Sequence, residues 1–129
     1  MQSARDLDVY KLMFDVTIKI YKVTETFPKS ETFGLSSQMR RAAISVNANL
    51  TEGSSRISTA EYRRFAGIAR GSASELKYHI EIAAALGFIN QEALESLLDD
   101  MDRVCRMLTG LIKKLSTPTR ITDTDTNNE

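Results

Sequence analysis

The segment from Gly34 to Arg56, GLSSQMRRAAISVNANLTEGSSR, constrains this chain most, because it holds one helical period over more than five turns without a proline. Leu35, Met39, Ala42, Val46 and Leu50 recur at three- and four-residue spacing and form one apolar face. Gln38, Arg41, Ser45, Asn49 and Glu52 run beside that face at the same spacing, and Arg40 flanks them. A helix with this much polar chemistry along its buried stripe needs partners, so the rest of the chain must supply facing helices. Gly53 is expected to provide the left-handed residue that ends the helix.

Three further segments meet that demand. The first helix starts near Asp6 or Asp8, either of which can cap it. It carries Tyr10, Met13, Phe14, Thr17, Ile20, Tyr21, Thr24 and Phe27 in helical period, and Pro28 disfavours helix at Phe27. Ser58-Thr59-Ala60-Glu61 matches a capping box and opens a third helix with Tyr62, Phe65, Ala66, Ala69, Ala73, Leu76, Ile80, Ala83 and Leu86 on its inner stripe. Gly87 closes it, with Phe88 folding back on the last turn. Asn90 caps a fourth helix whose Leu94, Leu97, Leu98, Met101, Val104, Cys105, Leu108, Leu111, Ile112 and Leu115 follow an almost heptad spacing up to Pro118. No segment alternates convincingly or carries hairpin turn pairs. The expected fold is all-α, an antiparallel up-down-up-down four-helix bundle over residues 1–116, with a mobile polar tail over 117–129. Met39, Val46, Phe65, Leu76, Leu98 and Leu108 are expected in one core.

Charge is neutral overall, with 17 basic and 17 acidic residues, but it is unevenly placed. Residues 34–71 hold six arginines against Glu52 and Glu61, whereas residues 72–129 hold six basic against ten acidic residues. Arginine suits bidentate contact with carboxylate or phosphate, so both kinds of partner stay open for the middle segment. The single Cys105 permits no internal disulfide and no thiolate metal site. No secretory h-region or membrane-length apolar run is present, and the expected location is cytoplasmic, with no membrane partner.

Five motifs occur in order: Leu7-x-Val9-Tyr10-Lys11; Phe27-Pro28; Phe33-Gly34-Leu35-x-x-Gln38-x-Arg40-Arg41-Ala42-Ala43; Asn49-x-x-Glu52-Gly53; and Gly71-Ser72-Ala73-Ser74-Glu75-Leu76. Together they make the chain, over about residues 5–115, resemble the four-helix-bundle proteins encoded in intervening sequences of bacterial 23S rRNA genes. That resemblance implies a small antiparallel bundle assembled as a ring-shaped homopentamer. A related branch, the accessory protein of diversity-generating retroelements, is a basic pentamer that binds nucleic acid and a reverse transcriptase. The family pattern carries proline at the position of Asn47 and alanine at that of Thr51, so any feature depending on a kink there is not carried over.

Two constellations are candidate sites. Gln38, Arg40, Arg41, Asn49 and Glu52, with Glu75 and His79 on the next helix, form either a small-molecule pocket or a buried polar network fixing helix register. The network is the expected form, with Glu75 paired to Arg40 or Arg41 because buried charges need partners. Arg56, Arg63, Arg64 and Arg70, interleaved with Tyr62 and Phe65, fit a phosphate-tracking surface or a solvated face with salt bridges between subunits, and the resemblance favours nucleic acid. Ile44, Ile57, Ile68 and Ile82 fall outside the assigned stripes and imply a homo-oligomer, with five subunits implied by the resemblance alone. No metal or other cofactor is expected, since a di-iron bundle needs two Glu-x-x-His motifs and His79 is the only histidine. Gly67-x-x-x-Gly71 is expected to allow close helix approach. No convincing acid–base pair or nucleophile is present, which disfavours an enzyme. The expectation is a non-catalytic oligomer binding structured RNA or DNA; the alternative is a scaffold for a protein partner such as a reverse transcriptase.

Overall fold

A computed structural model describes residues 3–116; the tail expected over 117–129 lies outside the described residues. Four helices follow one another: α1 (Asp8–Thr24), α2 (Leu35–Ser54), α3 (Thr59–Ala85) and α4 (Gln91–Ser116). Short 3-10 turns at Ala4–Asp6 and Lys29–Glu31 precede α1 and α2, and no strand occurs among the described residues. Helix α2 packs on α1 and α3, and α4 packs on α3 and α1, which closes a four-cornered bundle. The short connections make sequential neighbours antiparallel.

Fully buried Met13, Val16 and Ile20 from α1 meet Met39, Val46 and Leu50 from α2, Leu76 and Ile80 from α3, and Met101, Val104 and Leu108 from α4. Helix α3 otherwise turns Ala66, Ala69, Ala73 and Ala83 inward, so its neighbours approach a thin seam. Leu98 is only half-buried at the edge of this core. Phe65 departs further from expectation: half-buried and outside the main cluster, it serves as a platform for charged side chains.

The ends of the helices show which local signals operate. Ser58 Oγ accepts from the Glu61 amide at 3.1 Å, and Asn90 Oδ1 accepts from the Ala93 amide at 2.8 Å. Gly87 adopts φ 79°, while the Phe88 amide donates to Ala83 O and the Gly87 amide to Ala84 O, the paired pattern of a Schellman stop. Neither Asp6 nor Asp8 caps α1. Leu7 holds that position without a side-chain bond, and Asp8 sits in the first turn, where its charge favours the helix dipole. At α2 the cap comes from the preceding turn, as Glu31 Oε1 accepts from the Leu35 amide at 3.0 Å.

Gly53 does not end α2 through a left-handed backbone. It lies within the helix and is buried, and an added Cβ would stand 2.8 Å from Phe65 Cβ and 2.9 Å from Tyr62 Cδ1. Its role is the close approach of α2 to the start of α3. Gly67 and Gly71, expected to allow such an approach, face open space.

Candidate functional site

The seven polar residues expected to form one network separate into three environments, because α2 turns its polar stripe past two different neighbours. Arg40 points to α1. Its Nε donates to Thr24 Oγ1 at 2.8 Å, its Nη2 donates to Tyr21 O at 3.0 Å, and its guanidinium lies 4.5 Å from the centre of the Tyr21 ring. These acceptors belong to the last turn of α1, where exposed carbonyls and the helix dipole favour a cation. Thr24 Oγ1 in turn donates to Ile20 O at 2.7 Å, so this buried hydroxyl is satisfied both ways.

Glu52 belongs to the second environment. It pairs with Arg56 one turn later at 2.6 Å, with both side chains exposed.

Gln38, Arg41, Ser45 and Glu75 form the third, with Ser72 and Ala42. They line an open cleft of about 510 Å³ between α2 and α3. Gln38, Arg41 and Glu75 are exposed, and neither Arg40 nor Arg41 forms an ion pair with Glu75 among the described residues. The expected buried Glu75–arginine pair is therefore absent: Arg40 is held by α1, and Arg41 and Glu75 extend into the cleft. On its floor Ser45 Oγ and Ser72 Oγ stand 2.9 Å apart, and Asn49 Nδ2 donates to Ser45 O at 2.8 Å and Ser45 Oγ at 3.0 Å. His79, only 5% exposed, places Nε2 3.5 Å from Glu75 Oε2, and its Nδ1 is buried without a hydrogen-bond partner.

The four arginines expected to face a partner are all exposed, on two flanks of α3. Arg56 and Arg64 lie 5.1 and 4.6 Å from the centre of the Phe65 ring, and Arg64 also reaches Glu61 at 3.3 Å. Phe65 thus displays two guanidinium groups with their stems against an aromatic surface. On the α4 flank, Arg63 Nη1 donates to Leu115 O at 3.5 Å and Arg70 Nη1 to Thr109 Oγ1 at 3.4 Å. Neither has a carboxylate partner among the described residues.

Exposed apolar groups include three of the four isoleucines singled out in sequence: Ile44, Ile57 (100% exposed) and Ile68. Ile82 is instead half-buried against its neighbours. Periodicity alone missed Phe14, Ile18 and Phe33. Phe14 and Ile18 form, with Tyr10, Ile44, Asn47 and Ala48, part of a groove of about 430 Å³ between α1 and α2. Phe14 lay on the assigned α1 stripe; only the position of α2 shows that it sits at the stripe's outer edge. Asn47 donates to Tyr10 O at 2.9 Å, a bond that proline could not make, and α2 is continuous through this position.

Burial pushes the Cys105 thiol above its ordinary range and disfavours a reactive thiolate. No group of three or more His, Cys, Asp or Glu residues among the described residues is placed to hold a metal ion. No helix among them is long and apolar enough to cross a membrane.

Bundle, cleft and arginine surface define a small all-α protein whose polar chemistry lies on its outer faces. The chain belongs to the 23S rRNA-intervening sequence protein family, whose model matches residues 5–110. It is similar in fold to a protein of unknown function from the S23 ribosomal protein family of Bacteroides thetaiotaomicron VPI-5482. That likeness has a TM-score of 0.75 at 24% identity and covers 81% of this chain and 95% of the other. No curated protein matches the chain.

Proposed function

We propose that this protein is a non-catalytic oligomer that associates with structured RNA or DNA through the arginines around α3. The observation that carries the reading is the exposed set Arg56, Arg63, Arg64 and Arg70, of which Arg63 and Arg70 lack carboxylate partners among the described residues. Two more lie on the Phe65 ring, which limits the freedom they would lose on meeting a phosphate. Membership of the 23S rRNA-intervening sequence family supports the same direction.

A cyclic homo-oligomer, taken as five subunits on the family resemblance, would repeat this charge around its axis. The exposed Phe14, Ile18 and Ile44 support assembly, since clustered apolar groups at a surface mark interfaces. A repeated arginine surface would hold phosphates without reading bases.

The test is fluorescence anisotropy with a structured RNA at low salt, for the wild type and Arg63→Glu/Arg64→Glu, with assembly mass followed by light scattering. The expected result is binding by the wild type and strong loss in an equally assembled variant. Unchanged binding by the variant would move the surface elsewhere. Absence of binding by the wild type would favour the scaffold for a protein partner.

A further inference from the structure

The α2–α3 cleft combines features that solvated side chains on a helix surface do not require. Arg41 on one wall has no hydrogen-bond or ion-pair partner among the described residues, while Glu75 on the other meets only His79. Opposite charges thus line one cleft without pairing to each other. Between them the floor is ordered: Asn49 occupies a lone pair of Ser45 Oγ, and the two serine hydroxyls share one hydrogen bond. Two hydroxyls carry two hydrogens, so one remains for a third partner. The Gln38 side chain adds an amide that can both donate and accept.

We propose that this cleft binds a small zwitterion, a free α-amino acid with a short polar side chain. The Arg41 fork takes the carboxylate, for which its geometry suits bidentate contact. Glu75 takes the ammonium group, the spare serine hydroxyl adds a donor to the carboxylate, and Gln38 meets the side chain. His79, buried behind Glu75, limits where that carboxylate can move. The lining excludes other classes. A phosphate or nucleotide meets the Glu75 charge, a metal cation meets Arg41, and an apolar ligand finds Ala42 as the sole apolar side chain.

The experiment is isothermal titration calorimetry of the full chain with three probes: L-glutamine, glutaramate, which lacks the ammonium group, and 4-aminobutanamide, which lacks the carboxylate. L-Glutamine should bind saturably, and each single-charge analogue should bind at least ~10-fold more weakly. Arg41→Gln and Glu75→Gln should each lose L-glutamine binding by a similar factor. Both side chains are exposed, so the variants should keep the wild-type circular dichroism and assembly mass. No saturable heat with L-glutamine would overturn the proposal, as would equal binding of all three probes or unaltered affinity in both variants. A fall in assembly mass in either variant would also overturn it, because the charges would then serve contacts between subunits.

Discussion

Arg40 and Arg41 are adjacent in sequence and opposite in circumstance. Arg40 is half-buried, closes the last turn of α1 with two hydrogen bonds and covers Tyr21. Arg41, about 100° further round the helix, is exposed in the cleft and touches no acceptor among the described residues. The lesson is that a basic stretch of sequence is not one functional unit. Its arginines divide by what they meet: α1 holds Arg40 in a half-buried site, whereas Arg63 and Arg70 touch α4 only at 3.5 and 3.4 Å and stay exposed. Arg56 and Arg64, braced on Phe65 yet open to solvent, stand between the two extremes.

The contrast can be broken by substitution, and the core sets its scale. Leu76 is fully buried in α3, so Leu76→Ala should cost roughly 2–5 kcal/mol in urea unfolding. A much smaller cost would mean that the bundle is not packed around this residue. Arg40→Ala should come next, at about 1–3 kcal/mol, because it leaves α1 carbonyl and hydroxyl acceptors near the core without their donor. Arg41→Ala, measured alongside, should stay within about 0.5 kcal/mol of wild type. Equal effects at the two positions would erase the distinction.

The smallest effect should come from the seam between α3 and α4, where Lys77 Nζ lies 2.7 Å from Asp102 Oδ1. This hydrogen bond holds the Asp102 carboxyl below its usual value and raises that of Lys77. A depressed carboxyl stabilises the fold above its unfolded pKa and loses that contribution as pH falls through the folded value. The melting-temperature gap between wild type and Asp102→Asn should therefore be slight at neutral pH, begin to close only near the ordinary carboxyl value of about 4, and vanish once the pH falls below the depressed folded value. A gap that widens in acid would assign the pair the wrong sign.

Much of this was legible in sequence, because helical period, caps and stops are local. The four helices, Ser58, Asn90 and the Gly87–Phe88 stop follow from residues within one turn of each other. Apart from the cap of α1, where Leu7 stands in place of Asp6 or Asp8, the failures are matters of which neighbour a residue meets. Gly53 looked like a helix end because glycine commonly ends helices, whereas its task is to admit Tyr62 and Phe65 from another helix. Glu75 is expected to pair with Arg40 or Arg41 because a charge on the inner side of each helix needs a partner. The last turn of α1 competes for Arg40 with two acceptors, and no periodicity records that. Of the expected network, Gln38, Arg41 and Glu75 line the cleft, while Arg40 and Glu52 lie elsewhere and Ser72 enters it unannounced by any stripe.

The division of the arginines is tested most directly by the salt dependence of RNA affinity. The logarithm of the binding constant should fall linearly with the logarithm of salt concentration for the wild type and for Arg41→Gln, with the same slope. In Arg63→Gln/Arg64→Gln the slope should be shallower by roughly 1.4–1.8, as expected for two lost phosphate contacts. An unchanged slope in that double variant, or an equal loss of slope in Arg41→Gln, would contradict the account.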